Sequence, residues 1–162
     1  EEIGRFYGYD KLDSTLIKAD TTLGVRNKEQ SIKKKVEEVL VNSGLSEIYT
    51  YGFVSEKDLE LSNISEDIKK YAITIQNPLS DEYKLMRPTT VPSMIQTLAT
   101  NNNKKNQDVK LFDLSRSYKN IKQEVENGEV PLQEDILTIG MYGDDIDFYV
   151  LKGIIENIWF EY

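Results

Sequence analysis

Arg87 is the residue of this chain best placed to do chemistry. It follows the turn-rich run Asn77-Pro78-Leu79-Ser80-Asp81-Glu82-Tyr83-Lys84-Leu85-Met86 and stands directly before Pro88 and an amphipathic segment. At the mouth of a helix, a guanidinium can clamp a phosphate or a carboxylate through its fixed fork of donors. The rest of the chemical inventory is narrow. The chain has no histidine and no cysteine. That removes disulfides, thiolate nucleophiles, the usual zinc sites and every imidazole base. Proton transfer, if there were any, would fall to carboxylates, lysine or tyrosine. Asp144, Asp145 and Asp147 look superficially like a calcium loop. The glycine and the terminal glutamate of such a loop are not in place, so they read as a turn and a helix cap. Gly-rich phosphate loops of the P-loop or Rossmann kind are absent. Ten tyrosines and Trp159 could stack on bases. Most of them sit on strands or helix stripes, where core or interface packing is the ordinary explanation.

These residues must be positioned by one domain. A chain of 162 residues buries roughly two thirds of its unfolded surface, enough for a single core. With 39% hydrophobic and 30% charged residues it has the composition of a soluble globular protein. No apolar run approaches the roughly 20 residues that span a bilayer. The chain opens on two glutamates rather than a basic and apolar leader, and without methionine, which points to a piece of a longer protein. The absence of cysteine fits a cytoplasmic location. Net charge is -8, and the only arginines are Arg5, Arg26, Arg87 and Arg116. A surface that wraps nucleic acid carries excess lysine and arginine, so this is a poor independent RNA-binding module.

The pattern predicts a short helix over 1–6 closed by Gly8, then a linker over 9–25. A strong helix follows over 28–42. Ile32, Val36, Val39 and Leu40 fall on one stripe, and Gly44 is a natural stop. Residues 48–54 read as a strand, and Ser55 as the cap of a short helix over 56–61. Residues 71–76 read as a second strand ended by Asn77-Pro78. Val91, Met94, Ile95, Leu98 and Ala99 repeat at helical spacing, so Thr89 or Thr90 starts a helix ending near Asn101–Asn103. Strands are predicted at 109–118 and 135–142, as a hairpin whose polar loop over 119–133 turns at Asn127-Gly128. Asp147 caps a last helix burying Val150, Leu151, Ile154, Ile155, Ile158 and Trp159. Without regular β-α-β alternation the class is α+β, an antiparallel sheet with helices on one side.

Four motifs in order carry a family resemblance. They are Glu1-Glu2-Ile3-Gly4-Arg5-Phe6-Tyr7-Gly8-Tyr9-Asp10, the Asn77-Pro78-Leu79-Ser80 turn, Leu85-Met86-Arg87 running into a helix, and Leu111-Phe112-Asp113-Leu114-Ser115-Arg116. Together they resemble the catalytic-like module of bacterial phenylalanyl-tRNA synthetase beta chains, over nearly the whole chain. The resemblance implies a class II aminoacyl-tRNA synthetase-like fold, truncated at the C-terminus. Residues 1–9 would end the preceding domain, 10–27 would be a linker, and 28–162 an incomplete catalytic-like module.

The function it implies is a non-catalytic scaffold and subunit-interface module. The holoenzyme, an (αβ)2 assembly with an alpha chain, joins phenylalanine to its tRNA using ATP and Mg2+. Other domains would contact the tRNA. The helix over 28–42 and strand over 48–54 stand where class II synthetases have their first motif. Pattern alone reads that helix as core; the resemblance reads Ile32, Val36, Val39 and Leu40 as subunit interface. Lys33-Lys34-Lys35 would be a solvated face. Glu1 and Glu2 would help hold Mg2+ in the intact protein, with aspartates lying upstream. Met86-Arg87 is similar in kind to the second motif, whose arginine clamps ATP. Here Pro88-Thr89 replaces the expected acidic neighbour and no third motif exists. Arg87 is therefore expected to bond structurally to backbone or carboxylates, with no catalytic residue in the chain. Two other readings remain: a stand-alone ATP-dependent ligase with a degenerate class II site, and an unrelated α+β interaction module.

Overall fold

The computed structural model describes residues 1–121 and 131–160. Helix α1, Glu2–Tyr7, ends at Gly8 with φ 99°, and a 3-10 turn spans Tyr9–Lys11. No regular element follows until Asn27. Helix α2, Lys28–Asn42, starts with a capping box. Gln30 N–H donates to Asn27 Oδ1 at 2.8 Å, and Asn27 N–H donates to Gln30 Oε1 at 3.0 Å. Two orphan donors of the first turn are thus satisfied reciprocally.

Helix α3, Glu56–Leu61, is capped the same way by Ser55 and Asp58. A short helix α4, Glu66–Lys69, follows. Helix α5 spans Val91–Asn103 and helix α6 Phe148–Phe160. Asp147 caps α6 by accepting from Val150 N–H at 2.9 Å.

Three of these helices end by one device, a left-handed residue that lets the next N–H reach back five residues. After α2, Gly44 (φ 82°) allows Leu45 N–H to donate to Leu40 O at 3.1 Å. After α3, Asn63 (φ 51°) allows Ile64 N–H to reach Leu59 O at 3.1 Å. After α5, Lys105 (φ 65°) allows Asn106 N–H to reach Asn101 O at 3.2 Å. In the first two cases the bonded residues also pack together in an apolar cluster.

Two three-stranded sheets make the framework. In the first, β5 (Val109–Lys119) pairs antiparallel with β6 (Leu132–Tyr142), from Val109↔Tyr142 to Lys119↔Leu132. The short β1, Ser46–Glu47, joins β5 in parallel, Ser46 facing Leu111. In the second sheet, β4 (Leu85–Met86) lies between β2 (Phe53–Val54) and β3 (Ile73–Thr74), antiparallel to both.

The α+β expectation therefore holds, with corrections. The first sheet is mixed rather than wholly antiparallel, and it carries helices on both faces. Phe112 packs with Leu40, Leu45 and Ile154 under α2 and α6. Val109 and Leu111 pack with Met94 under α5. Alternate residues of a strand point to opposite faces, so consecutive apolar residues at Leu111 and Phe112 fill both layers. Gly140 on β6 makes the second layer fit: a Cβ there would lie 2.7 Å from Met94 Cγ and 2.8 Å from Leu98 Cδ1.

Of the predicted strand over 48–54 only Phe53–Val54 is strand, in the second sheet, and β1 in the first sheet ends at Glu47, just before it. Ile48 N–H still bonds Phe112 O in the first sheet at 2.8 Å, while Gly52 O accepts from Arg87 N–H on the way into the second at 3.0 Å. Residues 71–76 shrink to β3, and β4 was too short to show a period. On α6, Val150, Ile154 and Ile158 face the core, whereas Ile155 and Trp159 are exposed, at 51% and 80%. One sheet face covers only part of so broad an apolar stripe. The predicted turn at Asn127-Gly128 lies outside the described residues.

Candidate functional site

Arg87 sits at the junction of the two sheets, and its backbone joins them. Its N–H donates to Gly52 O at 3.0 Å beside β2, and its carbonyl accepts from Tyr118 N–H of β5 at 2.9 Å. The side chain is 3% exposed. Nε donates to Arg116 O at 2.8 Å, and Nη1 donates to Thr50 Oγ1 at 2.6 Å and Tyr51 O at 3.2 Å. The Thr50 hydroxyl in turn donates to Asp113 Oδ2 at 2.6 Å. Asp113, 1% exposed, lies 3.6 Å from Arg87 Nη1.

Burial pushes the guanidinium below its ordinary pKa, against the opposing pull of Asp113 and then Tyr118. A buried arginine persists as a charge only when its donors and its counter-ion are supplied in this way. Removing one partner of such a pair costs roughly 3–5 kcal/mol. The sequence reading had no signal for Thr50 as a member of this node. A carboxylate inside the apolar run Leu111-Phe112-Asp113-Leu114 was a visible signal for Asp113.

Thr50 and Tyr51 also form the floor of a cleft of about 560 Å3 between α3, α5 and the 3-10 turn Asp81–Tyr83. Arg87 does not line it. Its Nη1 bonds Thr50 and Tyr51, which do.

The other predicted site residues lie elsewhere. On α2, Leu40 is fully buried, and Val36 packs against its cluster. Both are core residues of this domain, and Leu40 has no surface to offer another chain. Ile32 and Val39 are half-buried and lie outside the three apolar clusters. Lys33 is more than a solvated charge. Its Nζ is 2.5 Å from Asp135 Oδ2, tying α2 to β6, and 3.5 Å from Glu29. That hydrogen bond is the main reason the Asp135 carboxyl is held below its usual range; burial opposes it, and Glu29 and Arg116 assist.

Glu1 and Glu2 stand at the start of α1, far in sequence from all of this. Glu2 Oε2 is held by Arg5 Nη2 at 2.5 Å. Among the described residues no group of three potential metal ligands exists. Two exposed carboxylates, one already paired, do not by themselves fit a Mg2+ ion, which takes six oxygens in a near-octahedral shell.

Residues 12–161 match the model of the phenylalanyl tRNA synthetase beta chain CLM domain. The chain belongs to that family. Over 159 residues, 98% of its length, this CLM domain is 40% identical to the phenylalanine–tRNA ligase beta subunit of Clostridium acetobutylicum. It is 36% identical to that of Clostridium tetani over the same span. The chain spans about a fifth of the length of these relatives, 20% in each case. Among solved structures, the CLM domain is similar to two of pyrrolysyl-tRNA synthetase from Desulfitobacterium hafniense. The TM-scores are 0.62 and 0.63 over 82% of this chain and 44% and 46% of those chains. At 11% and 14% identity the likeness shows the fold alone, one shared with part of those synthetase chains. No helix among the described residues is long and apolar enough to cross a membrane.

Proposed function

We propose that this CLM domain is a non-catalytic scaffold and subunit-interface module of a phenylalanyl-tRNA synthetase beta chain. The whole enzyme would join phenylalanine to its tRNA with ATP and Mg2+ as a cytoplasmic (αβ)2 assembly. The alpha chain would carry the chemistry, and other beta-chain domains would carry most of the tRNA contact. Residues 1–9 would close a preceding domain, 10–27 would link it, and 28–162 would form the module. Glu1 and Glu2 would reach Mg2+ only in company with further carboxylates.

The observation that carries this reading is the state of Arg87. In a class II second motif the arginine must present its fork to a phosphate. Here Nε is committed to Arg116 O and Nη1 to Thr50 and Tyr51 O, with Asp113 as counter-ion. The guanidinium therefore serves the fold. The interface role falls to the half-buried margin of the α2 stripe, through Ile32 and Val39, while Val36 and Leu40 hold that helix on its own sheet.

Light scattering on the full-length beta chain mixed with alpha chain tests the interface. Ile32→Glu with Val39→Glu is expected to abolish co-elution while circular dichroism stays unchanged. Undiminished co-elution of that folded double variant would refute the α2 interface. Leu40→Glu is no test of it, because that change would unfold the domain.

A further inference from the structure

The cleft beside Arg87 has a neighbour. A second depression of about 350 Å3 lies on the other side of the same three aromatic residues, Tyr51, Phe53 and Tyr83. These rings form a ridge shared by both hollows. Tyr83 meets Tyr51 edge-on with ring centroids 5.8 Å apart and meets Phe53 edge-on at 6.5 Å. The ridge is open to solvent: Tyr51 is 73% and Phe53 41% exposed.

The two hollows differ in character. The smaller is lined by Ile75, Pro78 and Leu79, and Leu79 stands 97% exposed at its rim. The larger has hydroxyl and amide groups from α5 on one side and Asp58 and Glu82 on the other. Lys57 is its only cationic wall residue. Among the described residues Asp81 and Glu82 have no ionic partner, whereas Glu56 is already neutralised by Lys84 at 3.0 Å. The rim is therefore net negative, on a chain whose net charge is -8.

We propose that this ridge binds an extended, basic segment of a partner polypeptide. An aromatic ridge between two grooves suits a chain that needs no internal hydrogen bonds, with alternate side chains dropping to either side. A proline or leucine would enter the hollow at Pro78 and Leu79. An arginine or lysine beyond the ridge would face Glu82 and Asp58. Aromatic ring faces and carboxylates favour a cation, and the same carboxylates disfavour a phosphate backbone. This surface is separate from α2 and does not depend on the subunit interface proposed above.

Fluorescence anisotropy on the full-length protein would test it with three labelled peptides. One is Pro-Leu-Pro-Pro-Arg-Arg, the second has Glu in place of both Arg, and the third has Gly-Ser in place of the Pro and Leu residues. The first is expected to bind with a Kd on the order of tens to hundreds of micromolar, the others at least about tenfold more weakly. Tyr83→Ala and the surface change Glu82→Lys should each weaken the first peptide severalfold, with melting temperature checked in both. Equal binding of all three peptides, binding unaffected by both variants in folded protein, or no binding of the first peptide would overturn the proposal. So would tighter binding of a single-stranded oligonucleotide to the same ridge.

Discussion

The two sheets of this domain are held by different physics. The first has eleven-residue strands and apolar layers on both faces, with Leu40, Phe112 and Ile154 on one side and Met94 and Leu111 on the other. The second is built from two-residue strands over a small cluster of Val54, Leu59 and Leu85. Strands so short bury too little to hold their own geometry. The polar node around Arg87 ties this weaker sheet to the stronger one. An arginine that resembles a ligand clamp in sequence has been used as a structural rivet.

The sharpest way to break the contrast is to truncate one anchor in each region. Arg87→Met should cost about 3–5 kcal/mol by stranding Asp113. Leu40→Ala should cost about 2–5 kcal/mol by opening a cavity. The two losses should differ in how they are repaired. Adding Asp113→Leu to Arg87→Met should recover most of the stability, because the uncompensated charge goes with it. No second truncation should rescue Leu40→Ala. Chemical denaturation of the four proteins reads both comparisons.

Gly140→Val probes the close approach of α5 to β6. The new side chain would collide with Met94 and Leu98, at an expected cost of about 1–3 kcal/mol in thermal melts. Lys105→Gly acts in the opposite direction. A left-handed lysine is strained where glycine is not, so the change should stabilise by about 0.5–1 kcal/mol. A melting temperature that falls instead would place the strain elsewhere.

The smallest expected effect is a pH dependence in the first sheet. Asp135 has its carboxyl pKa lowered mainly by the hydrogen bond from Lys33. Its contribution is therefore present above the ordinary carboxylate value, and it is lost as pH falls through the depressed one. Asp135→Asn should lower the melting temperature slightly at neutral pH, and by less in acid, as the carboxyl takes up its proton. An equal loss at both pH values would rule out the ion pair as the cause.

Much of this fold was legible because its signals are local. Ser55, Gly44 and Asp147 mark helix ends through local hydrogen bonds, and each element they bound lies where the pattern put it. Periodicity also located β5 and β6. What escaped was non-local. The break of residues 48–54 between two sheets depends on Phe112 and Arg87, far along the chain. The parallel pairing of β1 depends on which strand lies next to it. The stripe on α2 was equally readable as core or interface, and the structure divides it: Val36 and Leu40 pack inward, Ile32 and Val39 keep exposed surface. Arg87 was conspicuous from the start. Its environment was not, because Thr50 and Tyr51 reach it from one distant segment and Arg116 from another.

Hydrogen exchange on the full-length protein, native against Arg87→Met, tests the rivet most directly when paired with the KM for ATP of the holoenzyme proposed above. The account predicts that amides of β2, β3 and β4 lose protection while those of α2, β5 and β6 largely keep theirs, and that the KM for ATP does not change. Unchanged protection in both sheets together with a raised KM for ATP would contradict it and return Arg87 to ligand binding.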